Sequence, residues 1–143
     1  MHQLYTIRVS HYNERARFAL DLARIPYKEH PNAPMLHMFP VLRAVLQSKK
    51  KMKKADRISS PLSTPLFIGT DGCCLQDSGE IVHYANQKLV KETEIDLYPE
   101  EHLEEIAQWE KEFHDVLGPY GRIVAYYGLS GANSFGPLTY RNV

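Results

Sequence analysis

The sequence predicts an α/β fold: a sheet of mixed strand direction carrying helices, followed by a helical region. Three observations support this. Residues up to about 30 alternate strand, helix and strand. A strand-turn-strand-helix run opens at Thr64. Beyond Pro99 the apolar residues recur only at helical spacing.

Each element has a local reason. Leu4 to Val9 is aromatic and β-branched and predicts a strand. Ser10-His11-Tyr12 is a loop. From about Asn13, Ala16, Ala19, Leu20 and Ala23 line one helical face, and Pro26 marks the stop. Tyr27 to His30 predicts a second strand, completing a βαβ unit with parallel pairing. Met38 to Leu46 predicts a helix through Val41, Leu42, Val45 and Leu46. The span 47–63 reads as a solvated loop or frayed helix end; it holds a lysine-rich run over 49–54 and Ser-Pro turn chemistry.

Pro65 to Ile68 predicts a strand. Gly69-Thr70-Asp71-Gly72 is a hairpin turn with Asp-Gly as its strongest element, and Cys73 to Leu75 is the returning strand. A helix then opens at Asp77-Ser78, either of which can cap it. Its apolar face is Ile81, Val82, Tyr84, Ala85 and Leu89. Pro99 suits the start of a further helix carrying Leu103, Ile106, Trp109, Phe113, Val116 and Leu117. Gly118-Pro119 is expected to interrupt it, with another helix over Tyr120 to Leu129 and a loose tail from Ser130. Trp109, Phe113, Tyr126 and Tyr127 are expected in core or interdomain packing. The order β-α-β, variable segment, β-β-α, then helices describes a thioredoxin-like sheet over residues 1–90 and a partial helical domain over 97–143.

Composition excludes several classes. The chain has 143 residues, with 17 Lys+Arg against 17 Asp+Glu. That balance gives no overall basic surface, so no nucleic-acid partner is expected. No apolar run approaches the roughly 20 residues that span a bilayer, and Met1 to Tyr5 lacks a secretory pattern. No membrane partner is expected, and the cytoplasm is the expected location. Cys73 and Cys74 are the two cysteines and are adjacent. A disulfide scaffold and a Cys-x-x-Cys site are thereby excluded, and a reducing compartment is the default. The seven histidines are scattered without metal-ligand spacing, so no metal is expected.

Two segments carry a family resemblance. The first runs from Tyr5 through Val9-Ser10-His11-Tyr12-Asn13 to Pro26-Tyr27. The second runs from Thr64-Pro65 through Asp71-Gly72 and Leu75 to Asp77-Ser78-Gly79-Glu80 and Ala85. Together they resemble the N-terminal domain of cytosolic glutathione S-transferases. Leu97-Tyr98-Pro99 and the stretch from Leu117 to Tyr127 resemble bacterial-type members with a Ser-His-Tyr motif. Two departures stand out: close relatives often carry Cys where this chain has Asn13, and the chain supplies about two helices of the usual C-terminal domain.

The resemblance implies a glutathione transferase that joins glutathione, its co-substrate, to a small electrophile, and a homodimer. Ser10 would occupy the catalytic position. A hydroxyl between a strand and a helix N-terminus can donate to a bound sulfur, and the helix dipole also favours thiolate over thiol. Read without the resemblance, Ser10 caps the helix. His11, Tyr12 and Asn13 are second choices for the same duty. Thr64-Pro65 resembles the family's cis-proline element, where the residue before the proline presents its backbone to the cysteinyl part of glutathione; otherwise it is a trans proline opening an edge strand. Asp77 and Ser78 match an acidic-Ser pair that receives the γ-glutamyl end at a helix N-terminus, and both also suit plain capping. Two other readings are a non-catalytic interaction module of the same fold and a glutaredoxin-like thiol reductase. The reductase lacks a cysteine at 10 or 13. For Cys73 and Cys74, burial is expected rather than catalysis, with one thiol on each face of the sheet.

Overall fold

A computed structural model describes residues 1–48 and 62–129, without the side chains of residues 125, 126 and 129. The lysine run at 49–54 and the tail from 130 lie outside the described residues. The chain divides into two compact units, residues 1–103 and residues from 104 onward.

In the first unit, β1 (His2–Ile7), β2 (Tyr27–Asn32), β3 (Leu66–Ile68) and β4 (Cys74–Leu75) form one sheet in the order β2-β1-β3-β4. β1 pairs parallel with β2 and antiparallel with β3, and β3 pairs antiparallel with β4. Side-chain alternation along these strands sorts residues onto two faces. Leu4 lies opposite Phe67, and Phe67 opposite Leu75. This row packs with Ala16, Ala19 and Leu20 of α1 (His11–Leu22) and Ile81, Ala85 and Leu89 of α3 (Ser78–Glu92). The alternate row, Tyr5, Leu66, Ile68 and Cys74, packs with Val41, Ala44 and Val45 of α2 (Met38–Ser48). The sheet is thus the middle of three layers.

Several boundaries differ from the sequence reading. β1 starts at His2 and stops at Ile7, because the Ser10 N–H donates to the Ile7 carbonyl (3.2 Å) and closes a turn that leaves Val9 exposed. The first helix starts at His11 and stops at Leu22, ahead of Pro26. Arg24 takes a left-handed conformation (φ 50°). The Arg24 N–H donates to the Asp21 carbonyl and the Ile25 N–H to the Leu20 carbonyl. This is a Schellman end with Arg where glycine is usual, fastened by burial of both Leu20 and Ile25. In the second helix only Val41, Ala44 and Val45 are buried, while Leu42 and Leu46 are exposed.

Pro99 precedes a short 3₁₀ turn, Glu100–His102, which leads into α4 (Leu103–Glu112). Gly118-Pro119 does not break the helix as expected. A π turn over Phe113–Leu117 joins α4 to α5 (Gly118–Leu129). Pro119 lacks the N–H that would reach the carbonyl four residues back, and its ring crowds that carbonyl; a wider turn just before it accommodates both. Trp109 and Phe113 lie against each other with ring centroids 6.0 Å apart, and each stays about half exposed. Of the two expected placements, the core does not hold for them. Tyr127 is half-buried, and the Tyr126 side chain lies outside the described residues.

One polar cluster ties α1 to the parallel strand pair. The Thr6 hydroxyl, fully buried, donates to Glu29 Oε1 at 2.5 Å, and Arg17 Nε donates to the same oxygen at 2.8 Å. Burial pushes the Glu29 carboxyl up, but the hydrogen bonds from Arg17 and Thr6 and the charges of Arg17 and Arg8 outweigh it. The carboxyl therefore sits below the ordinary value of 4.5.

Two outcomes follow. Phe67→Ala removes a fully buried ring from the first core and should cost about 3–5 kcal/mol in urea unfolding. Glu29 titrates lower in the folded chain than in the unfolded one. Its stabilisation is therefore complete above the unfolded value and is lost as pH falls through the folded one. Urea midpoints measured from about pH 6 down to about pH 3 should fall less steeply for Glu29→Gln than for the wild type.

Candidate functional site

The candidate site is built from three chain segments joined in series by buried side-chain amides, starting at the end of β1. The first is the opening of α1. Ser10 is its N-cap by backbone, in an extended conformation, and its carbonyl accepts from the N–H groups of Asn13 (3.0 Å) and Glu14 (3.1 Å). Its side chain makes no capping hydrogen bond. The capping explanation for a serine here therefore accounts for the backbone and not for the hydroxyl, which stays half-buried beside the first-turn N–H groups. His11 is exposed and lies against Tyr12, with ring centroids 3.9 Å apart.

The second segment is the turn into β3. The Thr64–Pro65 peptide bond is cis, as the family resemblance implies and contrary to the trans alternative. Thr64 is half-buried and Pro65 buried. The third is the start of α3, where Asp77 and not Ser78 is the N-cap. Asp77 Oδ1 accepts from the N–H groups of Gly79 (2.7 Å) and Glu80 (3.4 Å). Ser78 begins the helix and is 5% exposed.

Two buried side-chain amides join the segments. Asn13, fully buried, donates through Nδ2 to the Ile7 carbonyl (3.2 Å) and to Thr64 Oγ1 (3.4 Å). Gln76, 4% exposed, donates through Nε2 to the Ser63 carbonyl at 3.0 Å. Asn13 thereby ties the first turn of α1 to Thr64. Gln76 ties the residue before Thr64 to the residue before Asp77. All five residues named from the sequence, Ser10, Thr64, Pro65, Asp77 and Ser78, fall within this one linked run. The role of Gln76 was not read from the sequence. From the sequence Asn13 is a second choice for the catalytic duty; it also precedes Ala16 by three positions and so shares its buried stripe.

The cysteines behave differently. Cys74 packs in the core on the α2 side, and Cys73 lies against the opposite core, one on each face as alternation requires. Burial, then the hydrogen bond to Asp71 and the Asp71 charge, push the Cys73 thiol up to about 12. Burial also raises Cys74. Neither is a thiolate near neutral pH. An open cavity of about 630 Å³ lies beside them, lined by Asp71, Cys73, Leu75, Glu80, His83 and Tyr84 among others. It contains none of the five predicted residues. Some of its polar groups serve the hairpin itself: the Tyr84 hydroxyl donates to Asp71 Oδ2 (3.2 Å) and the Cys73 N–H to Asp71 Oδ1 (3.1 Å). The linked run, with a hydroxyl not engaged in capping, is the better candidate. Among the described residues no cluster of three His, Cys, Asp or Glu side chains is arranged to hold a metal, and no helix is long and apolar enough to cross a membrane.

Residues 4–92 match the family model for the N-terminal domain of glutathione S-transferases. The chain belongs to the glutathione S-transferase family. A comparison with curated protein sequences finds no match. Among solved structures, the chain is similar to a possible glutathione S-transferase from Rhodopseudomonas palustris, with a TM-score of 0.58 and 20% identity over 88% of this chain and 56% of that one. It is also similar to the glutathione S-transferase Xi from Phanerochaete chrysosporium, with a TM-score of 0.52 and 16% identity over 80% of this chain and 47% of that one. At these identities the likeness speaks for the fold: a thioredoxin-like sheet followed by helices. The chain spans about half the length of either structure.

Alkylation by iodoacetamide near neutral pH should be at least about tenfold slower for this glutathione S-transferase family member than for free cysteine, whose pKa is about 8.5. In urea the difference should vanish. Rapid labelling of the folded chain would contradict the placement of both thiols.

Proposed function

We propose that the chain binds glutathione along the linked run and transfers it to a small electrophile. The observation that carries this reading is the Ser10 hydroxyl: it stands at a helix N-terminus, makes no capping bond, and lies one helical turn from the amide that holds Thr64. In this reading residues 1–90 form the glutathione-binding domain and residues 97–143 a partial helical domain. The Thr64 backbone pairs with the cysteinyl part of the peptide beside Pro65. Asp77 and Ser78 receive the γ-glutamyl end, where the N-terminus of α3 favours a carboxylate.

The chemistry follows from charge. The Ser10 hydroxyl donates a hydrogen bond to the glutathione sulfur, and the first-turn N–H groups of α1 add partial positive charge. Both interactions are stronger with the thiolate, so the bound thiol loses its proton more readily than in water. The thiolate attacks the electrophile, a sulfur–carbon bond forms, and the leaving group departs with the electron pair of its own bond. A cytoplasmic homodimer belongs to the same reading.

A thiol reductase needs a low-pKa cysteine, and burial raises both thiols here. A non-catalytic module of the same fold predicts that isothermal titration with glutathione gives no heat of binding.

The decisive variant is Ser10→Ala. Glutathione affinity should hold within about threefold, while the bound thiol pKa, followed by ultraviolet thiolate absorbance, should rise by about one unit, the loss of one charge-assisted hydrogen bond. An unchanged titration would move the duty to His11, Tyr12 or Asn13.

A further inference from the structure

Asn13 occupies an unusual place for an amide. It is fully buried, yet only half of its hydrogen-bonding capacity is met. Nδ2 reaches the Ile7 carbonyl and Thr64 Oγ1, while Oδ1 is buried without a partner. A buried acceptor left unpaired is destabilising. Apolar neighbours surround the position along the helix: Ala16, Ala19 and Leu20 are all buried on the same stripe. For folding alone, an apolar side chain of similar volume would serve there about as well. The Ile7 carbonyl would keep the Ser10 N–H as donor, and Thr64, half-buried, would keep access to water.

What an apolar residue could not do is hold Thr64. Thr64 is 51 positions away in sequence, and the Asn13 amide is the side-chain link between it and the first turn of α1. The same amide donates to the carbonyl that ends β1, so it fixes Thr64 to both the strand and the helix that flank Ser10. We propose that Asn13 is a positioning residue for glutathione binding: through Thr64 Oγ1 it sets where the backbone of Thr64 stands relative to Ser10. The inference rests on the functional reading above. It assigns Asn13 no contact with the reacting sulfur, which separates it from Ser10. Loss of Asn13 acts on affinity, and loss of Ser10 acts on the acidity of the bound thiol.

A double-mutant cycle on glutathione affinity tests this by isothermal titration of the full chain. Asn13→Leu and Thr64→Val should each weaken binding by about tenfold, the worth of one hydrogen bond near 1.4 kcal/mol. The double variant should be no weaker than either single one, because both remove the same link. At saturating glutathione the bound thiol pKa of Asn13→Leu should stay with the wild type, and its urea midpoint should stay close as well. A purely structural role would instead lower the midpoint and leave the affinity of the folded chain unchanged, and that result would overturn the proposal. Additive losses, about a hundredfold in the double variant, would overturn it too, since the two residues would then act independently. Should Asn13→Leu fail to fold, Asn13→Ser, whose hydroxyl is too short to span to Thr64, reads the same link. Thr64→Val reads it from the half-exposed end. If the wild type itself does not bind glutathione, the functional reading falls and the positioning role with it. If the wild type binds and Asn13→Leu binds equally well, only the positioning role falls.

Discussion

The pairing of β1 with β3 at the centre of the sheet is the constraint on which the rest depends. Leu4, Leu66 and Phe67 are fully buried, and the two strands alternate between two cores, so each face of the central pair packs against a core. Polar side chains along such a strand are taken up in fixed hydrogen bonds, as Thr6 is with Glu29 and Arg17. Chemistry is displaced to where the strand ends and its backbone must turn. In this chain the candidate site lies there, at the Ile7–Ser10 turn, where β1 hands over to α1 and the Ser10 N–H donates to the Ile7 carbonyl.

The buried polar groups follow from the same constraint. Thr6 and Glu29 with Arg17 lock α1 onto β1 and β2, and Asn13 and Gln76 hold the turn at Thr64 and the start of α3. The two sets are built differently. The first is a charged cluster in which donor and acceptor are matched, and its carboxyl titrates low because of that match. The second consists of single amides reaching across long sequence separations. A matched cluster fixes an element in place. Single amides set the spacing between turns, and spacing between turns is what a small bound peptide would measure.

Much of this was legible in the sequence because it is local. Aromatic and β-branched runs, turn residues and helical spacing located the four strands and five α-helices, though not the 3₁₀ and π turns around α4. Asp-Gly at 71–72 marks the hairpin, while Ser10 between strand and helix reads from position alone as a cap and becomes a candidate site residue only through the family resemblance. What was not legible depends on long-range contacts or on backbone freedom that composition does not encode. His2 reads as polar, yet it belongs to β1, where its ring stacks on Phe67 at 5.2 Å. Arg24 takes the left-handed place that glycine usually signals. Gly118-Pro119 reads as a break until a π turn absorbs it. Trp109 and Phe113 sit at core-like spacing while remaining half exposed. Asn13 lies on an apolar stripe, a local anomaly visible in the sequence, but its partner Thr64 is supplied only by the fold.

The thiols complete the division of labour. Of the residues that could act as nucleophiles near the sheet, Cys73 and Cys74 are held protonated by burial, and in the case of Cys73 also by the Asp71 carboxylate. Position 13, where close relatives often carry a thiol, holds an amide, and position 10 holds a hydroxyl, whose own ionisation lies far above neutral pH. A site of this kind attacks nothing by itself. It has donors, a helix N-terminus and fixed turns, which together can favour an anion brought in from outside. Under the proposed function, the side chains around Ser10 would orient a ligand's sulfur and stabilise its charge rather than supply a nucleophile.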